Sequence, residues 1–408
     1  PHKLTGVDGL RQVVEQLDGF EAPAAAWERT ILPARVDRYD PALLDTLCLT
    51  GRVAWGRTSG RNGNSENGSA PSTRTAGPIR TTPVALFMRE TAQYWLPAEI
   101  AIEDAALSEY GRRVREVLVR RGASFFHELV GGSGLLATQV EQALGELAAL
   151  GMVTSDGFAG LRALITPSAK RKPLIPAPRR NRTVPFGIES AGRWALLEGH
   201  PDECTDPQRI EHKARTLLRR YGVMCRRLLE REANAPLWRD LLMAYRRLEA
   251  RGEIRGGRFV AGLAGEQFAL PEAVGQLRAI RRQESRERLV GLSGADPLNL
   301  TGIVTPGERI PALANNRVLY EDGVPVLARS GGETRVLNAE VVDRVAKLAP
   351  ALIRRGIGPA LRAQLALSGV PASKATLERP PKRRAHRDAN PTSSAAVSED
   401  VAATSDSR

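Results

Sequence analysis

The segment Leu292-Ser-Gly-Ala-Asp296-Pro-Leu-Asn299-Leu-Thr-Gly302 sets a carboxylate and an amide three residues apart. Asp296 and Asn299 are therefore candidate catalytic residues, since such a pair can position water or stabilise a cationic sugar as a glycosidic bond breaks. Turn formation is the competing and commoner reading. An aspartate side chain bonds its own backbone, and the following proline fixes φ. A second chemistry is suggested by arginines. Arg215, Arg219, Arg220, Arg226 and Arg227 decorate one helical stretch, and Arg239, Arg246, Arg247, Arg251, Arg255 and Arg258 decorate the helix and hairpin that follow. Guanidinium groups at this density suit bidentate contact with phosphate. About half are expected to be structural, because arginine stems cover apolar surface and Glu230, Glu232 and Glu249 offer partners.

Other chemistries find little support. His200, Cys204, His212 and Cys225 are zinc-ligating residue types, but their spacing matches no common site, so no metal is expected. The three cysteines, Cys48, Cys204 and Cys225, form no CxxC pair and suit a reducing compartment. No GxxxxGK[ST] loop occurs, and the glycine pairs sit in hairpins with no helix after them, so no nucleotide cofactor is expected in this chain. Serine-hydrolase, protein-kinase and HExxH signatures are also absent. Trp27, Trp55, Trp95, Trp194 and Trp238 could stack on unpaired bases, but each lies among apolar residues inside an expected element, which favours core packing.

The composition fits a basic globular chain. With 408 residues and 42% apolar content it can build two to four domains, at roughly 100 to 200 residues each. Fifty-nine Lys and Arg against 46 Asp and Glu give +13, which makes nucleic acid the first partner to consider, with a GC-rich coding bias as the other source of an arginine-rich balance. No apolar run reaches the ~18 to 20 residues of a membrane span, and no signal peptide opens the chain, so a cytoplasmic protein without a membrane partner is expected. The chain starts at Pro1, which suggests a piece of a longer protein.

The elements that would position these residues repeat. Helical periodicity covers Gly9–Leu17, a short stretch at Pro23–Glu28, and Pro41–Leu49. It returns at Leu107–Arg121, Ser124–Leu129 and Thr138–Leu150, and again at Ile210–Arg231, Pro236–Asp240 and Leu241–Arg251. Each set ends at a glycine followed by strand-like residues. Aligned on that glycine, Leu44, Leu47, Gly51 and Val53 match Leu144, Leu147, Gly151 and Val153, and then Tyr245, Leu248, Gly252 and Ile254. Apolar residues seven and four before the glycine share a helix face, the glycine supplies a left-handed cap, and the next apolar residue enters a strand. Three helices, a glycine and a β-wing describe a winged helix.

The expected architecture is α+β: tandem winged-helix modules, then a small β-barrel and a disordered C-terminal tail. The first module spans 1–104 with a flexible insertion at 60–78, and the second spans 105–168. A basic, proline-rich linker follows at 169–187, then a third module at 188–288. Short apolar runs separated by hairpin signals at Asp322-Gly323 and Gly331-Gly332 give a β-barrel-like module at 289–370, closed by a helix over Ala339–Leu367. The tail at 371–408 has little to bury.

With these segments in view, the chain resembles the C-terminal region of bacterial large helicase-related (Lhr) proteins. The resemblance rests on GFEAPAAAWERTILPARV, GLLATQVEQALGELAALGMVTSDGFAGLRALI, LLRRYGVMCRRLLEREANAPLWRDLL, YRRLEARGEIRGGRFVAGLAGEQFALPEA and ADPLNLTGIVTPGERIPALANNRVLYEDGVPV, which span most of residues 5–330. It implies DNA as partner, a role in DNA repair, and an upstream ATP-driven helicase core of the same protein that would hold the ATP and Mg²⁺ sites. The architecture is also similar to AlkZ-type DNA glycosylases, whose motif is Gln-x-Gln or Gln-x-Asp. Asp296 with Asn299 is its nearest counterpart here, and Gly294 stands where the glutamine is expected. Two functions follow as expectations: a DNA-binding and assembly module serving a helicase, or a glycosylase that flips and excises a base. A winged-helix transcriptional regulator is a third, though the modules differ from one another and no ligand or dimerisation domain is evident. Surfaces left by the missing core could favour a homo-oligomer.

Overall fold

The structure, a computed structural model, describes residues 3–59, 79–96, 107–166, 187–197, 206–284 and 288–353. The insertion at 60–78, the basic stretch at 169–186, the end of the expected closing helix and the tail at 371–408 lie outside the described residues.

One order of elements occurs three times. In the first module α1 (Gly6–Gln16) leads to β1 (Glu21–Pro23), then to a helical run made of α2 (Ala24–Ala26), a π-turn (Trp27–Ile31) and α3 (Leu32–Arg35), then to α4 (Pro41–Leu49), β2 (Val53–Gly56) and β3 (Pro83–Met88). A short α5 (Ala92–Trp95) follows. In the second, α6 (Glu109–Arg121), β4 (Ser124–Phe125), α7 (Phe126–Ser133) and α8 (Ala137–Ala149) precede β5 (Val153–Ser155), α9 (Phe158–Ile165) and β6 (Arg193–Leu196). In the third, α10 (Asp206–Tyr221), β7 (Val223–Met224), a 3-10 turn (Arg226–Arg231) and α11 (Trp238–Ala250) precede β8 (Arg255–Gly257) and β9 (Gln267–Ala269), with α12 (Pro271–Arg281) after them. The sheets share one topology: β1-β3-β2, β4-β6-β5 and β7-β9-β8, all antiparallel. The first strand of each module pairs with its last, and this pairing places the helix that ends at the glycine beside the wing.

The repeated glycines have a physical role. Gly51, Gly151 and Gly252 adopt φ of 72°, 77° and 77°, and the nine apolar residues aligned with them are all buried. Open space surrounds the missing Cβ of Gly252, so Gly252→Ala tests backbone strain alone and should cost about 1–2 kcal/mol in chemical denaturation. Gly151→Ala should cost more, because its Cβ would meet the Cβ of Arg57 at 3.0 Å.

Several boundaries differ from the sequence reading. The strand Arg193–Leu196, assigned to the start of the third module, pairs Trp194 with Ser124 and with Ser155, so it completes the second sheet. The basic stretch thus connects two elements of one module. Proline and charge signal a segment that packs poorly, but they do not say which sheet the next strand joins. The expected long helix Ile210–Arg231 stops at Tyr221, because Gly222 turns the backbone to φ 73° and admits β7. β1, at three residues, is too short to show alternation in the sequence.

After the third module, β10 (Leu289–Ser293), β11 (Arg317–Glu321), β12 (Val324–Ser330) and β13 (Glu333–Val336) form an open antiparallel sheet in chain order, followed by a 3-10 turn (Ala339–Arg344) and α13 (Val345–Ile353). This corrects the expected barrel. The hairpin signals specify neighbouring strands but not closure, and among the described residues β13 does not return to β10. Instead Val341, Leu348 and Leu352 cover Leu319 and Leu327 on one face, while Ile310 packs with Val318, Tyr320 and Ala328 on the other.

The first two modules share one hydrophobic core, in which Trp55 meets Phe158 and Trp194 edge-on with ring centroids at 6.5 and 6.2 Å. The third module has its own core around Leu241, Tyr245 and Phe268. Trp27, Trp55, Trp95 and Trp194 are buried and Trp238 is half-buried, as expected of core residues.

Candidate nucleic-acid interface

Each module has a third helix that a winged helix would offer to DNA, and the three differ in charge and access. α4 carries a single charge, Asp45, whose carboxylate accepts from Arg162 Nη1 (3.0 Å) and from the Ala159 amide (2.9 Å) of the second module. α9 therefore lies against this helix. α8 carries Glu141 and Glu146 and no basic residue. α11 carries Arg239, Arg246 and Arg247, followed by Arg251 and by Arg255 and Arg258 in the wing. Its buried face is Leu241, Ala244, Tyr245 and Leu248, so helical geometry turns Arg239, Met243 and Arg246 to solvent with Arg247 on one flank.

The structure sorts the eleven arginines. Arg220 is only 4% exposed; it pairs with Glu232, donates to the Asp18 carbonyl at 2.7 Å and lies over the Phe20 ring, so it joins the first and third modules. Arg215 and Arg251 share Glu211 and Glu253 at 2.6 to 3.0 Å, which ties α10 to the end of α11. Arg246 pairs with Glu266 at 3.0 Å and Arg239 with Asp240 at 3.4 Å, both as exposed pairs of small energetic weight. Arg219 reaches Thr216 (3.1 Å), and Arg227 donates weakly to the Gly302 carbonyl (3.3 Å). Arg226, Arg247, Arg255 and Arg258 are exposed and have no protein partner among the described residues. Arg247, Arg255 and Arg258 come from α11 and its wing.

Asp296 and Asn299 lie elsewhere, in the loop between β10 and β11. Asp296 is 1% exposed, and its carboxylate is gripped in a fork by Arg35, with Nη1–Oδ2 at 2.7 Å and Nη2–Oδ1 at 2.8 Å. Oδ1 also accepts from the Leu298 amide at 2.9 Å, closing the Asx turn that Asp-Pro suggests. Arg231 donates to the carbonyls of Gly294 (3.0 Å) and Asp296 (2.8 Å), and Arg309 donates to the carbonyl of Glu230 (2.6 Å). Asn299 Nδ2 ties the loop to itself through the carbonyls of Gly294 and Ile310, at 2.9 and 3.1 Å. Ala295 packs into the core of the first two modules, while Leu300 and Val304 pack on that of the third. The loop is thus a junction in which the first module, the third module and the sheet are fastened together. A Cβ at Gly294 would lie 2.7 Å from both Asn316 Cβ and the Pro311 carbonyl, so no glutamine fits there without moving the backbone.

Arg35 and Arg231, which hold this loop, were not singled out from sequence, and nothing local could reveal a pair 261 residues apart. His200 and Cys204 lie outside the described residues. Among the described residues no group of three His, Cys, Asp or Glu is placed to hold a metal ion, and no helix is long and apolar enough to cross a membrane. Burial pushes the Cys48 thiol up to about 12 and raises that of Cys225, so both remain protonated near neutral pH.

Comparison with known proteins agrees with the repeated modules. Residues 1–70 match a winged-helix domain of large helicase-related protein, the third in that family's numbering, and residues 203–289 match the fourth. The chain is 32% identical over 335 residues, 76% of its length, to a protein of Escherichia coli (strain K12) named Lhr helicase/uracil glycosylase. It is 32% identical over 319 residues, 73% of its length, to one of Mycolicibacterium smegmatis named Lhr helicase/probable uracil glycosylase. The matched stretch is 20% of each relative's length. Two domain matches at separate places in the chain, with sustained identity to two relatives over most of it, show that the chain belongs to the large helicase-related family, in its C-terminal winged-helix region.

Proposed function

We propose that this chain is the DNA-binding and assembly portion of an Lhr-type ATP-dependent helicase acting in DNA repair, and that α11 and its wing make the DNA contact. One observation carries the reading: of the three helices placed to enter a groove, only α11 presents guanidinium groups to solvent, and Arg247, Arg255 and Arg258 are not consumed by carboxylates. In winged-helix proteins this helix lies in the major groove and the wing reaches phosphate or the minor groove. The upstream helicase core of the same protein is the proposed partner, with ATP and Mg²⁺ acting there.

A second reading is base excision, which the names of both relatives carry. Asp296 and Asn299 remain its candidates in this chain. The Asp296 carboxylate would have to leave Arg35 and reach the sugar of a flipped nucleotide. The grip of Arg35 and the closed space at Gly294 favour a fastening role for this loop instead.

One experiment separates the two. The chain is incubated without ATP with labelled single-stranded, forked and uracil-containing DNA, then half is run native and half after hot alkali. Retarded bands without alkali-dependent breaks are expected. Breaks at uracil that vanish with Asp296→Ala would establish excision, and no retardation on any substrate at low salt would overturn the DNA-binding reading.

A further inference from the structure

A cavity of about 480 Å³ opens between α5 of the first module and α10 and α11 of the third. One wall is aromatic: Tyr94 stacks on His212 with ring centroids 4.3 Å apart and planes 15° from parallel. The wall is held from behind. His212 Nε2 lies 3.3 Å from Asp18 Oδ2, and that buried carboxylate also accepts from Trp95 Nε1 and Thr91 Oγ1, both at 2.9 Å. The imidazole edge meets Trp95 at 5.9 Å, so the stack is built before any ligand arrives. The rest of the lining is Pro207 and the polar side chains of Gln208, Glu211, Arg215 and Arg247. Arg215 is committed to Glu211 and Glu253, whereas Arg247 has no protein partner among the described residues.

The position of the cavity indicates its ligand. Arg247 follows Arg246 on α11, and the 100° step between them turns it from the outward face toward α10. The cavity therefore borders the face proposed above to enter the groove. A flat aromatic wall together with an uncommitted guanidinium is the combination that holds a single nucleotide, with the base against the rings and the phosphate on the cation. We propose that this cavity binds one unpaired nucleotide adjoining the duplex held by α11, which would give the chain a preference for junctions between double- and single-stranded DNA. The inference rests on the DNA-binding reading of α11.

The test uses a duplex with a short single-stranded extension and 2-aminopurine at its first unpaired position, titrated with the chain at low salt. Stacking in the cavity should quench the fluorophore by about twofold or more. Tyr94→Leu should abolish that quench while leaving affinity for blunt duplex unchanged, and Tyr94→Phe should preserve it. Gln208→Glu, which adds a negative charge to the lining beside the phosphate seat, should weaken the quench even if Tyr94→Leu folds poorly. Quenching that is absent, or indifferent to both Tyr94→Leu and Gln208→Glu, overturns the proposal. If the chain fails to bind blunt duplex yet quenches a single-stranded 2-aminopurine oligonucleotide in a Tyr94-dependent way, the groove reading falls and the nucleotide site stands.

Discussion

Asp296→Ala should lower the stability of the folded chain by about 3–5 kcal/mol, the usual cost of removing one partner from a buried ion pair. The carboxylate it deletes is 1% exposed and satisfies both terminal nitrogens of Arg35, whose side chain is only 15% exposed. Arginine does not give up its proton at any pH at which the protein folds, so the abandoned guanidinium stays charged and poorly solvated. Arg35→Ala should cost nearly as much for the converse reason. The double variant Arg35→Ala/Asp296→Ala should lose much less than the sum of the two single losses, because neither charge is then left alone. Urea denaturation of the four proteins measures the coupling, and a cycle that closes within about 0.5 kcal/mol of additivity would falsify the clasp. The same set divides fastening from chemistry. If Asp296 is also catalytic, Asp296→Ala loses uracil excision even under conditions where denaturation shows the variant still folded. As a clasp, it loses stability whether or not any base is excised.

The sequence could show the modules because their signals are local. A helix face, a glycine that must adopt positive φ and the strand behind it all fall within about ten residues, and the three copies at Gly51, Gly151 and Gly252 reinforce one another. What joins the modules was not legible. Arg35 meets Asp296, Arg220 meets the Asp18 carbonyl, and His212 meets Asp18 across separations of 261, 202 and 194 residues. Sequence periodicity carries no information about such pairs. The arginine cluster illustrates the same divide. Its density points to the third module, but Arg220 and Arg247 look equivalent in sequence. One is consumed inside the protein and the other is free, and only the fold distinguishes them. The Asp296 loop could be read as either a site or a turn, and its depth beneath Arg35, set by the packing of three bodies, gives weight to the turn.

Reversing the free charges should have the largest effect on function. Arg247→Glu/Arg255→Glu/Arg258→Glu should weaken binding to duplex DNA by on the order of a hundredfold at low salt and reduce the slope of log affinity against log salt by about 3, or one phosphate contact per residue. None of the three has a protein partner among the described residues, so the thermal transition should stay close to that of the parent. Comparable reversals elsewhere make the control. Arg112, Arg120 and Arg121 on α6 are as exposed and as basic, but Arg112 already pairs with Glu109 at 3.0 Å and all three lie on the first helix of the second module, outside α11 and its wing. Net charge alone predicts the same loss from either triple variant. Contact through α11 and its wing predicts a loss confined to the first, with the salt slope of the α6 variant unchanged. Equal losses from both would make the basic balance of the whole chain, rather than one helix and its wing, the source of affinity.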